Sequence, residues 1–260
     1  MQEINFLKLT FLFITLLITF LLISAFGSLF FVVPVSKLWD CLFTSEMMFS
    51  LRLSLWTSVF STLIVLLFAL PIGYTMSRFE FWGQKLIRTT MDLPIAFPEL
   101  VLGLCLLLLF GKTPVAKFLK SLNLDLVFTL KGLIVAQFFT ALPYSIRIIH
   151  STFDYISPRY ELISRSLGRS PWETFIQVSI PMAKAGIIAA TIIAFARCIG
   201  AFGSVLILAG GTYMKTEVLP ITLYLNISYG NMDMAVTSGI LMVIVSFVAI
   251  FIFEKTNVDF

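Results

Sequence analysis

Few residues in this sequence carry groups able to do chemistry, and their spacing does not form a catalytic set. His150 is the single histidine, which nearly excludes a histidine metal site and disfavours a Ser-His or Cys-His hydrolase. No CxxC, HExxH, GxSxG or GxxxxGK[ST] motif occurs. We therefore expect no catalytic residue, metal or cofactor here, and any ATP-driven step must use a phosphate loop on another chain.

One charged residue stands out because it lies inside a long apolar run. Arg197 follows Gly186 by eleven residues, which places it roughly 16 Å along a helix that starts there. A charge near the middle of a bilayer costs at least ~2.5 kcal/mol and normally faces the protein interior or water. Arg197 either lines an anion path or holds helices together through a carboxylate or carbonyls. Glu99, beside Pro98, is the nearest carboxylate partner by type.

Neutral polar side chains also lie in apolar runs. Thr140, Tyr144 and Ser204 offer hydrogen-bonding groups, and Pro98 frees a backbone carbonyl. Such groups suit a weakly binding path that releases its ion, although serine and threonine in spans usually bond to their own helix. A kinked helix is the alternative for Pro98.

The elements that position these residues are membrane spans. Of 260 residues, 59% are hydrophobic and 12% charged, with a mean hydropathy of +1.00. Soluble domains are about 45–50% apolar, so the bilayer is the natural solvent. The net charge of +4 then reflects loops between spans, and nucleic-acid binding is disfavoured. Apolar runs predict an all-α protein with six spans, at about 10–33, 53–76, 93–111, 130–149, 183–209 and 234–253.

Six spans put both termini on one side of the membrane. Lysine and arginine in the short loops favour cytoplasmic N- and C-termini, although the 111–131 loop, with four lysines, argues the other way.

The connection at 150–182 is too long to be a simple turn. Pro158 predicts the start of one short helix and Gly168 its end, while Ser170 and Pro171 predict a second helix that stops at Pro181. From this pattern alone, two amphipathic helices lying in the membrane interface are an alternative to a functional loop.

The same loop resembles the conserved cytoplasmic loop of ABC-importer permeases. Gly168 and Pro181 have that family's thirteen-residue separation, and the run from Arg165 to Gly168 matches its RSLG stretch. The sequence departs at the front, where Glu161 lies one place early and Leu-Ile-Ser replaces the usual Glu-Ala-Ala. The resemblance implies a coupling helix that docks on the ATPase subunit. The residues it assigns to this loop are Tyr160, Glu161, Arg165, Ser166, Leu167, Gly168, Arg169, Pro171 and Pro181.

From Ser54 onward the chain is similar to the molybdate, tungstate and sulfate permeases. The run Phe195–Gly211 resembles their ARxxGEFGA segment, with Phe202 matching and Ala201 in place of the common glutamate. The resemblance implies a type I ABC-importer permease fold that acts as a dimer. The expected path or gate residues are Pro98, Glu99, Thr140, Tyr144, Arg197, Phe202 and Ser204.

The function implied is a permease subunit that translocates molybdate or tungstate and is not itself an enzyme. Its expected partners are two ATPase subunits, a second copy of itself, the lipid bilayer, and an extracytoplasmic oxyanion-binding protein on the outer loops at 34–50, 111–131 and 210–232. A sulfate or thiosulfate permease of the same class is the runner-up. An ion-coupled secondary transporter and an intramembrane enzyme are further alternatives, for which the sequence offers one intramembrane acid, Glu99, and no nucleophile-base set.

Overall fold

A computed structural model describes residues 2–255 of the chain, with side chains described over residues 7–252. The fold over this range is built from α-helices. In chain order they are α1 (Gln2–Val32), α2 (Val35–Leu42), α3 (Ser45–Arg78), α4 (Gln84–Ala96), α5 (Glu99–Lys112), α6 (Pro114–Ser121), α7 (Leu130–Tyr155), α8 (Arg159–Ser166), α9 (Pro171–Thr174), α10 (Ile180–Met182), α11 (Lys184–Ile199), α12 (Gly203–Ala209), α13 (Leu219–Ser228) and α14 (Met232–Lys255).

Four of the described helices, α1, α3, α7 and α14, are long and apolar enough to cross a membrane. Two further spans are possible if each sharply bent pair counts as one, namely α4 with α5 and the α9–α10 stretch with α11. Two expected spans are therefore divided in the structure. The segment 93–111 falls across α4 and α5, and the segment 183–209 falls across α11 and α12.

The break between α4 and α5 is a bend of 117° at Pro98. Proline has no N–H for the preceding turn, and it disfavours helical backbone in the residue before it. Phe97 accordingly adopts an extended conformation with φ −93° and ψ 148°, and α5 restarts at Glu99. The sequence predicted a loosened span here, and the structure turns it into two helices.

The core of the subunit forms where α3 packs along α7 and α11. Val65 and Ala69 of α3, Ile149 and Phe153 of α7, and Ala190 of α11 are buried in one cluster. A buried stripe of hydroxyls also runs along α3, made of Ser50, Ser54, Thr57, Ser58, Ser61 and Thr62. Its middle part, Thr57, Ser58 and Ser61, contacts Gln137 of α7, and the helices are thus joined by polar as well as apolar contacts.

Helix α1 lies at the edge of this core. Its described residues are exposed to the surroundings along almost the whole apolar stretch Leu7–Val32. At its end, Leu29 and the adjoining Val33 pack with Val236 and Ile240 of α14. The subunit therefore presents a long helix that is apolar and almost bare of contacts with its own chain.

Candidate functional site

The predicted coupling loop is held to the membrane helices by one carboxylate. Glu161 of α8 forms an ion pair with Arg78 at the end of α3, with 2.9 Å between Oε1 and Nε. Tyr74 and Ser179 also donate hydrogen bonds to this carboxylate, at 3.0 and 2.9 Å. Arg78 in turn donates to the carbonyls of Phe153 and Ile156 at the end of α7. Both side chains of the ion pair are largely buried, so the joint fixes α8 to two long helices.

Away from this buried anchor, the exposed side of α8 and α9 carries apolar side chains among the basic residues Arg159, Arg165 and Arg169. Ser164 of α8 is buried and bonds to Thr174 of α9 at 3.0 Å, which ties the two short helices together. Large apolar side chains nearby are exposed, namely Tyr160, Leu162, Ile163, Leu167 and Trp172. Leu167, at 79% exposed, projects at the turn itself. We call these five residues the apolar loop face.

The turn between α8 and α9 has the geometry that the sequence predicted. Gly168 has φ +88°, a left-handed value that costs other residues energy, and the helix ends there. Ser170 then caps α9 through a capping box with Glu173, and Pro171 takes the first helical position. The hydrogen bond from the Ser170 N–H lowers the pKa of the Glu173 carboxyl. The ionised Glu173 carboxylate, which accepts this hydrogen bond, is therefore present at neutral pH. It is protonated, and the cap weakened, only when the pH falls through the lowered pKa.

The second helical segment ends at Met182, one residue beyond Pro181 and just before α11, as the sequence predicted. Residues Phe175–Ser179 form a π-helical turn that continues into α10, where Pro181 occupies the first turn. A proline at 181 cannot donate to the carbonyl of Gln177, as an α-helix would require. The wider turn instead lets the Ile180 N–H reach the Phe175 carbonyl. Ser179, which binds Glu161, lies at the end of this turn.

The second cluster lies at the breaks in the long helices. The Glu99 carboxylate, at the start of α5, accepts hydrogen bonds from the N–H groups of Phe202 and Gly203 at 3.1 and 3.2 Å. These N–H groups lie at the start of α12, where no preceding turn can bond them. Glu99 therefore caps α12. In doing so it joins the helix break at Pro98 to the helix break at residues 200–202.

Arg197 is not paired with Glu99. Within the described part of the chain, no carboxylate lies within 4.0 Å of its guanidinium, and the group stacks on the Tyr144 ring with 3.9 Å from Cζ to the centroid. Arg197 lies exposed at the surface of the single subunit. The carboxylate pairing weighed from the sequence is thus absent, and a cation–π contact takes its place.

The other predicted path residues lie in different surroundings. Thr140 and Ser204 are buried and share a hydrogen bond of 2.8 Å between α7 and α12. Phe202 is half-buried against Tyr224 of α13. Ala201, where the resembling family commonly has glutamate, is fully buried among apolar side chains. The N–H groups next to it bind the carboxylate of Glu99.

Sequence reasoning missed the partners of the predicted residues. Arg78, Tyr74 and Ser179 complete the joint around Glu161, and Gln137 bridges α3 and α11. By sequence, Arg78 is one of the basic residues at the ends of the spans, whose charge bears only on the orientation. Gln137 carried a usable signal, because an amide inside an apolar run needs hydrogen-bond partners.

The comparisons with known proteins agree with this architecture. A probable sulfate transport system permease protein of Marchantia polymorpha is 31% identical over 200 residues, covering 76% of this chain and 69% of its own. A molybdate/tungstate transport system permease protein of Pyrococcus abyssi is 34% identical over 193 residues, covering 74% and 72%. The crystal structure of a bacterial alginate ABC transporter, in complex with a periplasmic protein bound to an alginate pentasaccharide, contains a chain with a TM-score of 0.75 at 15% identity. That alignment covers 95% of this chain and 93% of the other.

The chain belongs to the family of binding-protein-dependent transport system inner membrane components, which matches residues 69–256. It is a permease subunit of an ABC importer, with the all-helical permease fold that the sequence predicted. It is a multi-pass protein of the cytoplasmic membrane and a transport subunit rather than an enzyme, as expected. The family gives no support to the ion-coupled transporter or the intramembrane enzyme.

Proposed function

We propose that this permease moves a tetrahedral oxyanion, molybdate or tungstate, that an extracytoplasmic binding protein delivers. The observation that carries the proposal is the exposed Arg197, which has no carboxylate partner among the described residues and stacks on Tyr144. A cation at this depth requires water, an anion or a second protein surface beside it. Relatives named for molybdate and tungstate, and others named for sulfate, support an oxyanion as cargo. Sulfate is the second candidate because its permeases are equally similar.

The α8–α9 loop is the proposed docking site for the ATPase. The apolar loop face is exposed on a loop that Glu161 anchors from behind, and exposed apolar patches of this kind mark interaction sites. The ATPase subunit would cover this face and push on α8. The buried joint would then pass the movement to α3 and α7.

A second copy of the chain is the proposed partner within the membrane. Helix α1 is apolar and nearly free of contacts with its own subunit, and Arg197 is exposed. A neighbouring subunit would cover α1 and enclose Arg197 in a central path. We further propose cytoplasmic N- and C-termini, which puts the 150–182 loop on the side of the ATPase.

The test is ATP-driven uptake by the reconstituted complex. The permease, its ATPase and its binding protein are placed in liposomes, and uptake of molybdate, tungstate and sulfate is measured with and without ATP. We expect ATP-dependent accumulation of molybdate and tungstate and two permeases per complex by native mass spectrometry. Accumulation of sulfate alone would favour the second candidate. Accumulation of none of the three, by a complex that hydrolyses ATP on addition of its binding protein, would refute oxyanion transport.

A further inference from the structure

An open groove lies between the second half of α7 and the start of α11. It encloses about 760 Å³, and ten residues line it. The α7 wall carries its polar groups, in Arg147, Ser151, Thr152 and Tyr155. The α11 wall is made largely of the small residues Ala185, Gly186 and Ala189.

The small residues of α11 allow the two helices to come close at the floor of the groove and leave the groove open beside that contact. At Gly186 the two helices touch, because a Cβ added there would collide with the Thr152 side chain. On either side of this contact, alanines leave space that larger side chains would fill. The result is an open groove at the surface of the subunit, with the polar side chains on its α7 wall and small apolar residues on its α11 wall.

Arg147 supplies an unpaired charge to this groove. No hydrogen bond or ion pair reaches its guanidinium from the residues that the structure describes, and the side chain is exposed. It follows Tyr144 by three residues, which puts the two on one face of α7 about 4.5 Å apart along the helix axis. Since Arg197 stacks on Tyr144, the two arginines flank neighbouring turns of the same face.

This arrangement fits a tetrahedral oxyanion. A guanidinium binds such an anion through two parallel N–H groups, and it stays charged at any physiological pH. Ser151 lies about one turn and Tyr155 about two turns after Arg147 on α7, and both side chains are exposed. The sites are thus spaced along the groove towards the α8–α9 loop. Open, partly polar sites bind weakly enough to release an ion again.

We propose that this groove is the exit route of the oxyanion and that Arg147 is its charge partner there, after the anion has passed Arg197. The proposal rests on the proposed function, because it assigns residues to the second half of the same path. It adds Arg147, Ser151 and Tyr155 as positions that contact the cargo on the side of the ATPase.

The first test is ATP-driven uptake of molybdate by the reconstituted complex with Arg147→Gln, Arg147→Lys and Arg88→Gln. Arg88→Gln is the neighbouring control. Arg88 is also an exposed arginine without a partner among the described residues, and it lines a separate small cavity together with Arg147, but it does not line the groove. We expect Arg147→Gln to lower the maximal uptake rate about tenfold, the scale of a lost charge-assisted hydrogen bond. The binding-protein concentration that gives half-maximal uptake should stay unchanged. Arg147→Lys should keep more than half of the rate, and Arg88→Gln should stay within about twofold of the unsubstituted protein.

Equal amounts of assembled complex, measured by size-exclusion chromatography, are required for each comparison. An Arg147→Gln rate within about twofold of the unsubstituted protein would overturn the proposal. An equal loss of uptake rate in Arg88→Gln would also overturn it, because the effect would then come from removing a positive charge in this region and not from the groove. If the unsubstituted complex takes up no oxyanion, the proposed function itself has failed, and the two failures are therefore distinguishable.

The second test asks what fills the groove. Ser151→Cys is treated with small methanethiosulfonate reagents of negative and positive charge, with the unsubstituted protein and its native cysteines as the blank. We expect the anionic reagent to react faster and millimolar molybdate to slow it. Equal rates for the two reagents would overturn the proposal.

Discussion

At the residue scale, Gln137 connects three membrane helices. Its amide nitrogen donates to the Cys198 carbonyl of α11 at 3.0 Å, and its amide oxygen accepts from Ser61 of α3 at 2.9 Å. The side chain is buried, and its nitrogen also lies within hydrogen-bond distance of two further hydroxyls of α3. One amide on α7 therefore satisfies polar groups on two neighbouring helices.

Replacing this amide with an apolar side chain of similar length should destabilise the subunit. Interhelical hydrogen bonds in membranes contribute about 0.6 kcal/mol on average and up to about 1.7. We expect Gln137→Met to lower the free energy of unfolding by about 1–2 kcal/mol, measured by denaturation in detergent micelles. Thr191→Val is the control, because the Thr191 hydroxyl donates to the Ile187 carbonyl of its own helix. An equal loss in both variants would contradict the bridging role of Gln137.

Tyr144 should matter through its ring more than through its hydroxyl. The ring holds the Arg197 guanidinium at 3.9 Å, and cation–π contacts at exposed sites are worth about 0.5–1 kcal/mol. We expect Tyr144→Phe to keep most of the ATP-driven uptake, while Tyr144→Leu lowers it by roughly threefold. Uptake in liposomes measures both. Similar uptake by the two variants would show that the ring does not position Arg197.

The sequence was informative about residue types and less so about partners. Arg197 and Glu99 could be picked out because charges in apolar runs are expensive. Which group each would meet depended on how α5, α11 and α12 break and turn, and no spacing along the chain encodes those angles. The nearest carboxylate by type therefore proved to be a helix cap, and the partner of Arg197 was an aromatic ring.

At the element scale, the joint at Glu161 ties the α8–α9 loop to the ends of α3 and α7. Removing one partner of a buried ion pair costs about 3–5 kcal/mol, because the other charge stays buried. We expect Glu161→Gln to lower thermal stability and to reduce the oxyanion transported per ATP hydrolysed. Both quantities are measured on the same reconstituted complex.

Glu80→Gln is the control for this change. Glu80 is an exposed carboxylate two residues beyond Arg78, and surface substitutions usually stay within about 0.5 kcal/mol. A Glu161→Gln complex with an unchanged transport-to-hydrolysis ratio would mean that the joint supports the fold and takes no part in coupling.

In the α8–α9 loop, the helix ends and starts lie where the capping residues of the sequence predicted them. Gly168, Ser170 and Pro171 each predicted a helix end or start that the structure contains, because caps act over three or four residues. The π-helical turn and the 117° bend at Pro98 were not predicted. A proline shows where a helix is weakened, but whether it kinks, widens or restarts depends on what packs beside it.

At the scale of the whole molecule, the expected orientation can be tested by labelling from one side. We expect Lys117→Cys, in the 111–131 loop, to react with a membrane-impermeant thiol reagent in intact cells. Arg159→Cys, at the start of α8, should react only after the membrane is opened. Both side chains are exposed in the subunit, and the unsubstituted protein reports the native cysteines. The opposite pattern would invert the proposed topology and move the ATPase docking loop outside.

The contact between α1 and α14 forms only late in the synthesis of the chain. About 200 residues separate the end of α1 at Val32 from the start of α14 at Met232. Ribosomes add roughly 5–20 residues per second, so about 10–40 s pass before α14 exists for α1 to meet. During that interval the exposed apolar surface of α1 is available to another nascent or finished copy before its own chain is complete.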